Sequence, residues 1–387
     1  MFNVPPITNN QSLITVLKPR ERMMQVRSLI LKMKVSGFLA VLALLAFQPA
    51  AGQGVPKLPC ADADKACALR ATKRHAVGKI AAWQAALSVP AGERIGPASP
   101  QLVEYINLDN ILNGYPERPR AATLDAGLLA DVKGAIADLP PEIWNLFSER
   151  LVGLYFVEGL GGTGYTDYVF DSSSKPVAAF VVFDAAILAR QSANGWATWK
   201  ENTPFKSAAG YKLDARIAAD NADNRKNAIQ YILLHELGHV LSVGADIHPP
   251  WNISPRDVVR GAKYPFFELS WTIDRKADQY RSLFDATFPQ RANTVYYFGA
   301  KLSAADMVPA YVRLGNTNFP SLYAATRPGD DFAESFASYV HVVLMRRPWQ
   351  ITISRDGEVG YVFQACWGEV RCAKKQKILE QLLKRAS

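Results

Sequence analysis

Apolar positions crowd into short unbroken runs in the first half of the chain and recur at helical spacing along two long stretches of the second. Between about 150 and 190, LVGLYFVEGL and VAAFVVFDAAIL are dense in branched and aromatic residues, and the first runs into the turn-forming GGTG. Both predict strands of a small sheet. From about Asn224 to Val243 the pattern becomes a helix: Ile229, Ile232, Leu233, Leu237, Val240 and Leu241 leave it few polar faces, and Gly244 supplies a cap. A second apolar helix is predicted from about Gly329 to Met345, beyond a mixed segment, 245–322, rich in aromatics and prolines. Upstream, 61–135 holds the alanine-rich helical stretches KIAAWQAAL and LDAGLLADVKGAIADL, separated by the loops VPAGERIGPASP and NGYPERPR. This order predicts an α+β fold in three parts: an N-terminal extension with an export signal over 1–52, a helical N-terminal region over 53–135, and a main domain over 136–387.

Charge refines the picture at the N-terminus. The 387 residues carry a formal +9, but Lys18, Arg20, Arg22, Arg27, Lys32 and Lys34 against Glu21 place +5 of it within 1–52 and leave +4 for the rest. No run of Lys and Arg interleaved with aromatics appears there, which argues against nucleic acid as a partner. Lys32-Met33-Lys34 precede the uncharged VSGFLAVLALLAF, and the small residues Ala50-Ala51-Gly52 follow. That is the layout of a cleaved signal peptide, with an apolar run too short to span a bilayer comfortably; the alternative reading is an uncleaved anchor or a buried helix. The four cysteines fall into two local pairs, Cys60 with Cys67 and Cys366 with Cys372, as expected of disulfides in a periplasmic or secreted protein.

The chemistry sits in YILLHELGHVLS. On a helix, His235 and His239 project from one face at a separation suited to one tetrahedral Zn²⁺, with Glu236 beside the open position. A carboxylate there takes a proton from a water on the metal, while the zinc polarises a carbonyl. Two histidines and a glutamate on an apolar helix cost several kcal/mol unless paired, and a metal supplies the pairing. Gly238 is a poor helix former, which predicts a close neighbour at that point. Of the other histidines, His75 lies in the basic TKRHAVGK and reads as solvated, and His248, in DIHPPW, is a loop residue able to line a cleft.

Downstream, SLYAATRPGDDFAESFASYVHVVL places Asp330, Glu334, Ala337 and His341 in one stripe of a helix whose other faces carry Phe332, Phe336, Tyr339, Val340, Val343 and Leu344. Such a stripe is either a solvated acidic strip at a helix start or a partner for the metal. In the second case one carboxylate ligates zinc and the other holds the free N–H of a ligating histidine.

HELGH followed by Tyr323-Ala-Ala-Thr-Arg-Pro-Gly-Asp330-Asp-Phe-Ala resembles the gluzincin zinc metallopeptidases of the Mlc titration factor and anthrax lethal factor group. The resemblance covers roughly 138–345 and implies a zincin-like catalytic domain. It implies one Zn²⁺ held by His235, His239 and Asp330, with Tyr323 donating to the oxyanion and Glu334 at the position of a second acidic residue. Asp330 stands where that group has a glutamate, so Glu334 is the alternative third ligand. The segment 245–322 is longer than the group leads one to expect and implies an added subdomain over the cleft. PVAAFVVFDAAIL resembles the cleft-bordering strand that pairs with an extended substrate, while its nearly continuous apolar run fits a plain core strand equally well. The function expected is therefore an exported zinc endopeptidase acting on proteins or peptides, with Glu236 as general base. The alternative is a non-catalytic zinc-containing envelope or binding protein on the same scaffold; the presence of both Glu236 and Tyr323 favours the enzyme.

Overall fold

The computed structural model describes residues 58–297 and 299–384, so the expected export segment lies outside the described residues. The fold is mixed α+β. Strands β1 (Ile95–Pro97), β3 (Leu151–Glu158), β5 (Pro176–Asp184) and β4 (Gly164–Phe170) follow one another across the main sheet in that order, and β2 (Arg120–Ala121) also pairs with β3. β1, β3 and β5 run parallel, and β4 is antiparallel to β5. Farther along come β6 (Tyr211–Arg216), a hairpin of β7 (Trp271–Asp274) and β8 (Gln279–Ser282), and then β9 (Gln350–Arg355) and β10 (Glu358–Gln364). The last two join β6 in a three-stranded antiparallel sheet ordered β10-β9-β6.

Position in the sheet corrects one expectation. β5, the apolar run expected to border the cleft and pair with substrate, has β3 on one side and β4 on the other, so its main-chain groups are already taken. The edge strand is β4, GYTDYVF. Its alternation splits two cores: Tyr165 and Val169 face the helix Pro100–Asn113, whereas Thr166 and Tyr168 face the helix that carries HELGH. The strand expected to run on through Ile187 stops at Asp184, because its carboxylate accepts the Ala186 and Ile187 N–H groups and starts a helical turn.

The HELGH helix spans Arg225–Ser242, starts on the Asn224 side chain, which accepts the Asn227 N–H, and is buried from Asn227 to Ser242. Gly244 follows it at φ +66°, the left-handed position that ends helices. Across it lies the acidic helix, Pro328–Tyr339, and the two meet at Gly238 and Ala333. The expected helix to Met345 is interrupted: after Tyr339 one wider π turn, Val340–Leu344, brings His341 Nε2 to 2.8 Å from the Ile217 carbonyl and 3.1 Å from that of Pro348.

Residues 245–322 do not stand apart as a subdomain. Phe266, Phe267, Trp271, Phe288 and Tyr296 enter the same core as the HELGH helix. Within the expected helical region, Lys65–Arg74, Pro100–Asn113 and Ala126–Ala137 are helices, while β1 and β2 from the same stretch join the main sheet. Asp331 is fully buried, takes the Trp271 indole N–H at 3.0 Å, and is ion-paired with the equally buried Lys375 of the helix Ala373–Lys384. Both disulfides form as the spacing predicts, Cys60–Cys67 and Cys366–Cys372. Among the described residues no helix is long and apolar enough to cross a membrane.

Candidate metal centre

One helical turn apart, His235 and His239 bring their Nε2 atoms to 3.2 Å. Asp330 Oδ1 lies 3.6 Å from His239 Nε2, and the three donor atoms fall within 4.8 Å of one another, all on buried side chains. Ligand bonds of about 2.0–2.1 Å arranged tetrahedrally put neighbouring donors roughly 3.4 Å apart. The cluster therefore has the size and the chemistry to hold a divalent metal ion. Two imidazole lone pairs facing each other at this distance in a dry interior repel unless a cation or a proton lies between them.

Glu334 lies one turn beyond Asp330 and is turned toward His235 rather than the cluster: its Oε1 is 3.0 Å from His235 Nδ1 and 2.7 Å from Lys200 Nζ. Its Oε2 accepts the Ser321 hydroxyl at 2.8 Å. Burial works against its ionisation, but Lys200 and His235 outweigh burial and hold the carboxyl far below the usual range. An ionised Glu334 keeps the His235 proton on Nδ1 and leaves Nε2 free as a donor, the arrangement of a carboxylate supporting a metal-binding histidine. Burial pushes the His235 imidazole down, yet the Glu334 contact raises it overall. His239, by contrast, is driven well down by burial and by its two histidine neighbours, so its ring is neutral. Burial raises the Asp330 carboxyl, against the pull of His235 and Arg327, and the Thr326 hydroxyl donates to its Oδ2 at 3.1 Å.

Glu236 is buried beside the histidines, and Thr166 on edge strand β4 donates its hydroxyl to Oε2 at 2.7 Å. Burial raises its pKa, which His235 and Thr166 only partly offset. Tyr323 sits on a 3₁₀ turn, Tyr323–Ala325, with its ring 5.5 Å from that of His235 and Lys200 Nζ 4.4 Å from its centroid. Burial, then the Asp330 charge, keeps its phenol protonated well above the ordinary pH range, so it is a donor. His235, Glu236, His239, Tyr323, Asp330 and Glu334 all line one cavity.

Three groups here were not singled out from the sequence. Lys200 and Glu201 end the helix Ala193–Asn202, with Glu201 Oε2 accepting the Tyr296 and Tyr311 hydroxyls at 2.8 and 2.7 Å. Thr166 is 70 residues from Glu236. A lysine between Trp196, Ala197, Trp199 and a buried glutamate was the one available hint.

The remaining histidines divide. His75 is half-buried rather than solvated: its Nδ1 accepts the Val77 N–H at 3.3 Å and its ring meets Tyr105 edge-on. His341 belongs to the far end of the stripe and binds carbonyls, because eleven residues of helix carry it about 16 Å from Asp330. His248 lines a second cavity of about 920 Å³ that shares His239 and Asp330 with the first. Its Nδ1 is 2.8 Å from the Pro249 carbonyl, which only accepts, so the proton is on Nδ1 and Nε2 carries a lone pair. Burial lowers its pKa to about 4.

No protein-family model, curated protein or solved structure matches the chain.

Proposed function

We propose that this protein is an exported zinc-dependent endopeptidase with a zincin-like, gluzincin-type site. The observation that carries the reading is the convergence, on one cavity, of a three-donor cluster (His235, His239, Asp330), a buried carboxylate (Glu236) and a protonated phenol (Tyr323). Zinc bound there supplies Lewis acidity, which acidifies a water and polarises a peptide carbonyl. The remaining work falls to side chains of the chain.

Thr166 holds Oε2 of Glu236, which turns the other carboxylate oxygen to the water as proton acceptor. The same carboxyl then returns the proton to the leaving amine, and its burial-raised pKa suits both steps. Tyr323 donates to the oxygen on which charge develops. Lys200 lies over the Tyr323 ring and also binds Glu334, so one buried cation sets the positions of the donor and of His235. An extended substrate adds to the outer edge of β4, beside Gly164 and Tyr165 in the cavity wall, by main-chain hydrogen bonds. The two disulfides suit an oxidising compartment, hence periplasmic or secreted placement.

The test is to measure zinc stoichiometry and cleavage of a mixed peptide library. One equivalent of zinc with cleavage that 1,10-phenanthroline abolishes supports the enzyme. Bound zinc with no cleavage supports instead a non-catalytic binding protein on this scaffold.

A further inference from the structure

The cavity beyond His239 has walls that the metal chemistry does not need. Trp251, Trp271 and Tyr280 bound it, and Trp251 is fixed in place by stacking on Tyr168 of β4 at 3.7 Å. Two ring nitrogens in this wall are buried without a hydrogen-bond partner, His239 Nδ1 and His248 Nε2, and both rings are more than nine-tenths buried. The two rings meet over Gly329, where a β-carbon would lie in ordinary contact with both, 3.7 Å from His239 Cε1, 3.8 Å from His248 Cε1 and 3.9 Å from His239 Nδ1.

The roles of the two nitrogens follow from what their rings already do. His248 donates from Nδ1 to the Pro249 carbonyl, so its Nε2 only accepts. With Nε2 of His239 directed at the cluster as a ligand atom, the ring's proton sits on Nδ1, which only donates. An acceptor and a donor facing one small space match a hydroxyl, which donates once and accepts. The surrounding indoles and phenol match an aromatic ring. Buried polar groups left unpaired are costly, so the ligand that satisfies both is favoured over its isostere that satisfies neither.

We propose that this cavity is the side-chain pocket next to the scissile bond and that it selects tyrosine, whose ring packs among Trp251, Trp271 and Tyr280 while its hydroxyl bridges His248 Nε2 and His239 Nδ1. The proposal rests on the peptidase reading for its link to cleavage, since the pocket shares His239 and Asp330 with the metal cavity. Its walls come mainly from the 245–322 segment, which gives that added length a role in specificity.

Calorimetric titration of the zinc-loaded Glu236→Gln protein with N-acetyl-tyrosinamide and N-acetyl-phenylalaninamide separates this pocket from catalysis. Tyrosinamide should bind about tenfold more tightly, the size of one well-made buried hydrogen bond. Adding His248→Leu should bring the ratio near one at unchanged zinc content, and adding His248→Gln, which keeps an acceptor, should retain part of it. Equal binding of the two amides, binding of neither, or a preference that survives His248→Leu would overturn the proposal. Cleavage of a peptide library without tyrosine enrichment beside the cut bond would also overturn it while leaving the peptidase reading intact. A tyrosine preference in binding with no cleavage by the native protein would keep the pocket and remove the peptidase reading.

Discussion

Gly238 of the HELGH helix lies so close to Ala333 of the acidic helix that a β-carbon at 238 would stand 2.7 Å from the Ala333 Cα and 3.1 Å from its carbonyl oxygen. The contact sets how far Asp330 and Glu334 stand from the two histidines. Gly238→Ala gains about 1 kcal/mol of helix propensity, but forcing the helices apart costs roughly 1–3 kcal/mol. The variant should melt earlier than the native protein and bind zinc more weakly, as read by thermal unfolding with and without chelator. Higher stability with unchanged zinc affinity would remove the contact's role.

Asp330 and Glu334 should separate cleanly in a zinc competition with a chromophoric chelator. Asp330→Ala removes a donor of the cluster and should strip the metal outright. Glu334→Gln keeps the shape but loses the charge that supports His235, and should weaken zinc by about 10- to 100-fold. Glu334→Ala should in addition destabilise the fold by about 1.5–3 kcal/mol, because Lys200 loses its 2.7 Å partner and keeps only Glu201 at 3.8 Å. The reverse order of zinc affinities would make Glu334 the ligand.

Glu236→Gln preserves the Thr166 contact while removing the base. Turnover should drop by about two to four orders of magnitude with zinc retained, as measured by peptide cleavage beside metal analysis. Undiminished turnover would assign the proton transfer to another group.

Tyr323→Phe keeps the ring against His235 and Lys200 and removes only the phenolic donor. The expected result is a fall in kcat of about 10²-fold with KM nearly unchanged. An effect confined to KM would recast Tyr323 as a substrate contact.

His341 gives a pH signature in stability. Burial lowers its pKa to about 4 in the folded chain, below the ordinary 6.5, so the unfolded chain binds more protons between those values. Its contribution is complete above about pH 6.5 and is lost as pH falls toward 4. At pH 4.5 the loss is on the order of 2 kcal/mol. His341→Gln should therefore show a flatter decline in melting temperature from pH 6.5 to 4.5; parallel declines would mean that another group titrates.

What the sequence disclosed was local. Two histidines and a glutamate within five residues of one apolar helix declare themselves through the 3.6-residue repeat, and cysteines six or seven apart declare their loops. Asp330 and Glu334, four residues apart, were both visible, and the resemblance favoured Asp330 as ligand with Glu334 behind a histidine; the lysine that holds Glu334 there was not visible, because Lys200 lies 134 residues before it. β5 was read as a strand, either at the cleft edge or inside the core, and its dense apolar character marks the second, a strand with neighbours on both sides. The true edge, β4, mixes polar Thr166 and Asp167 with aromatics behind a glycine-rich turn and was not singled out as a strand. His248 was seen only as a loop residue able to line a cleft; Trp251 shares its loop, but Trp271 and Gly329 reach it from separate parts of the chain.

The buried pair between Asp331 and Lys375 gives the metal cluster a place in time as well as in space. Asp331 is the immediate neighbour of Asp330, and until a lysine 44 residues later arrives, the start of the acidic helix holds a carboxylate that cannot enter the interior ionised without great cost. A chain whose helix 373–384 has not yet docked thus has HELGH but no buried partner for the carboxylate beside Asp330. During refolding, zinc uptake should coincide with protection of 373–384; uptake ahead of that docking would break the link.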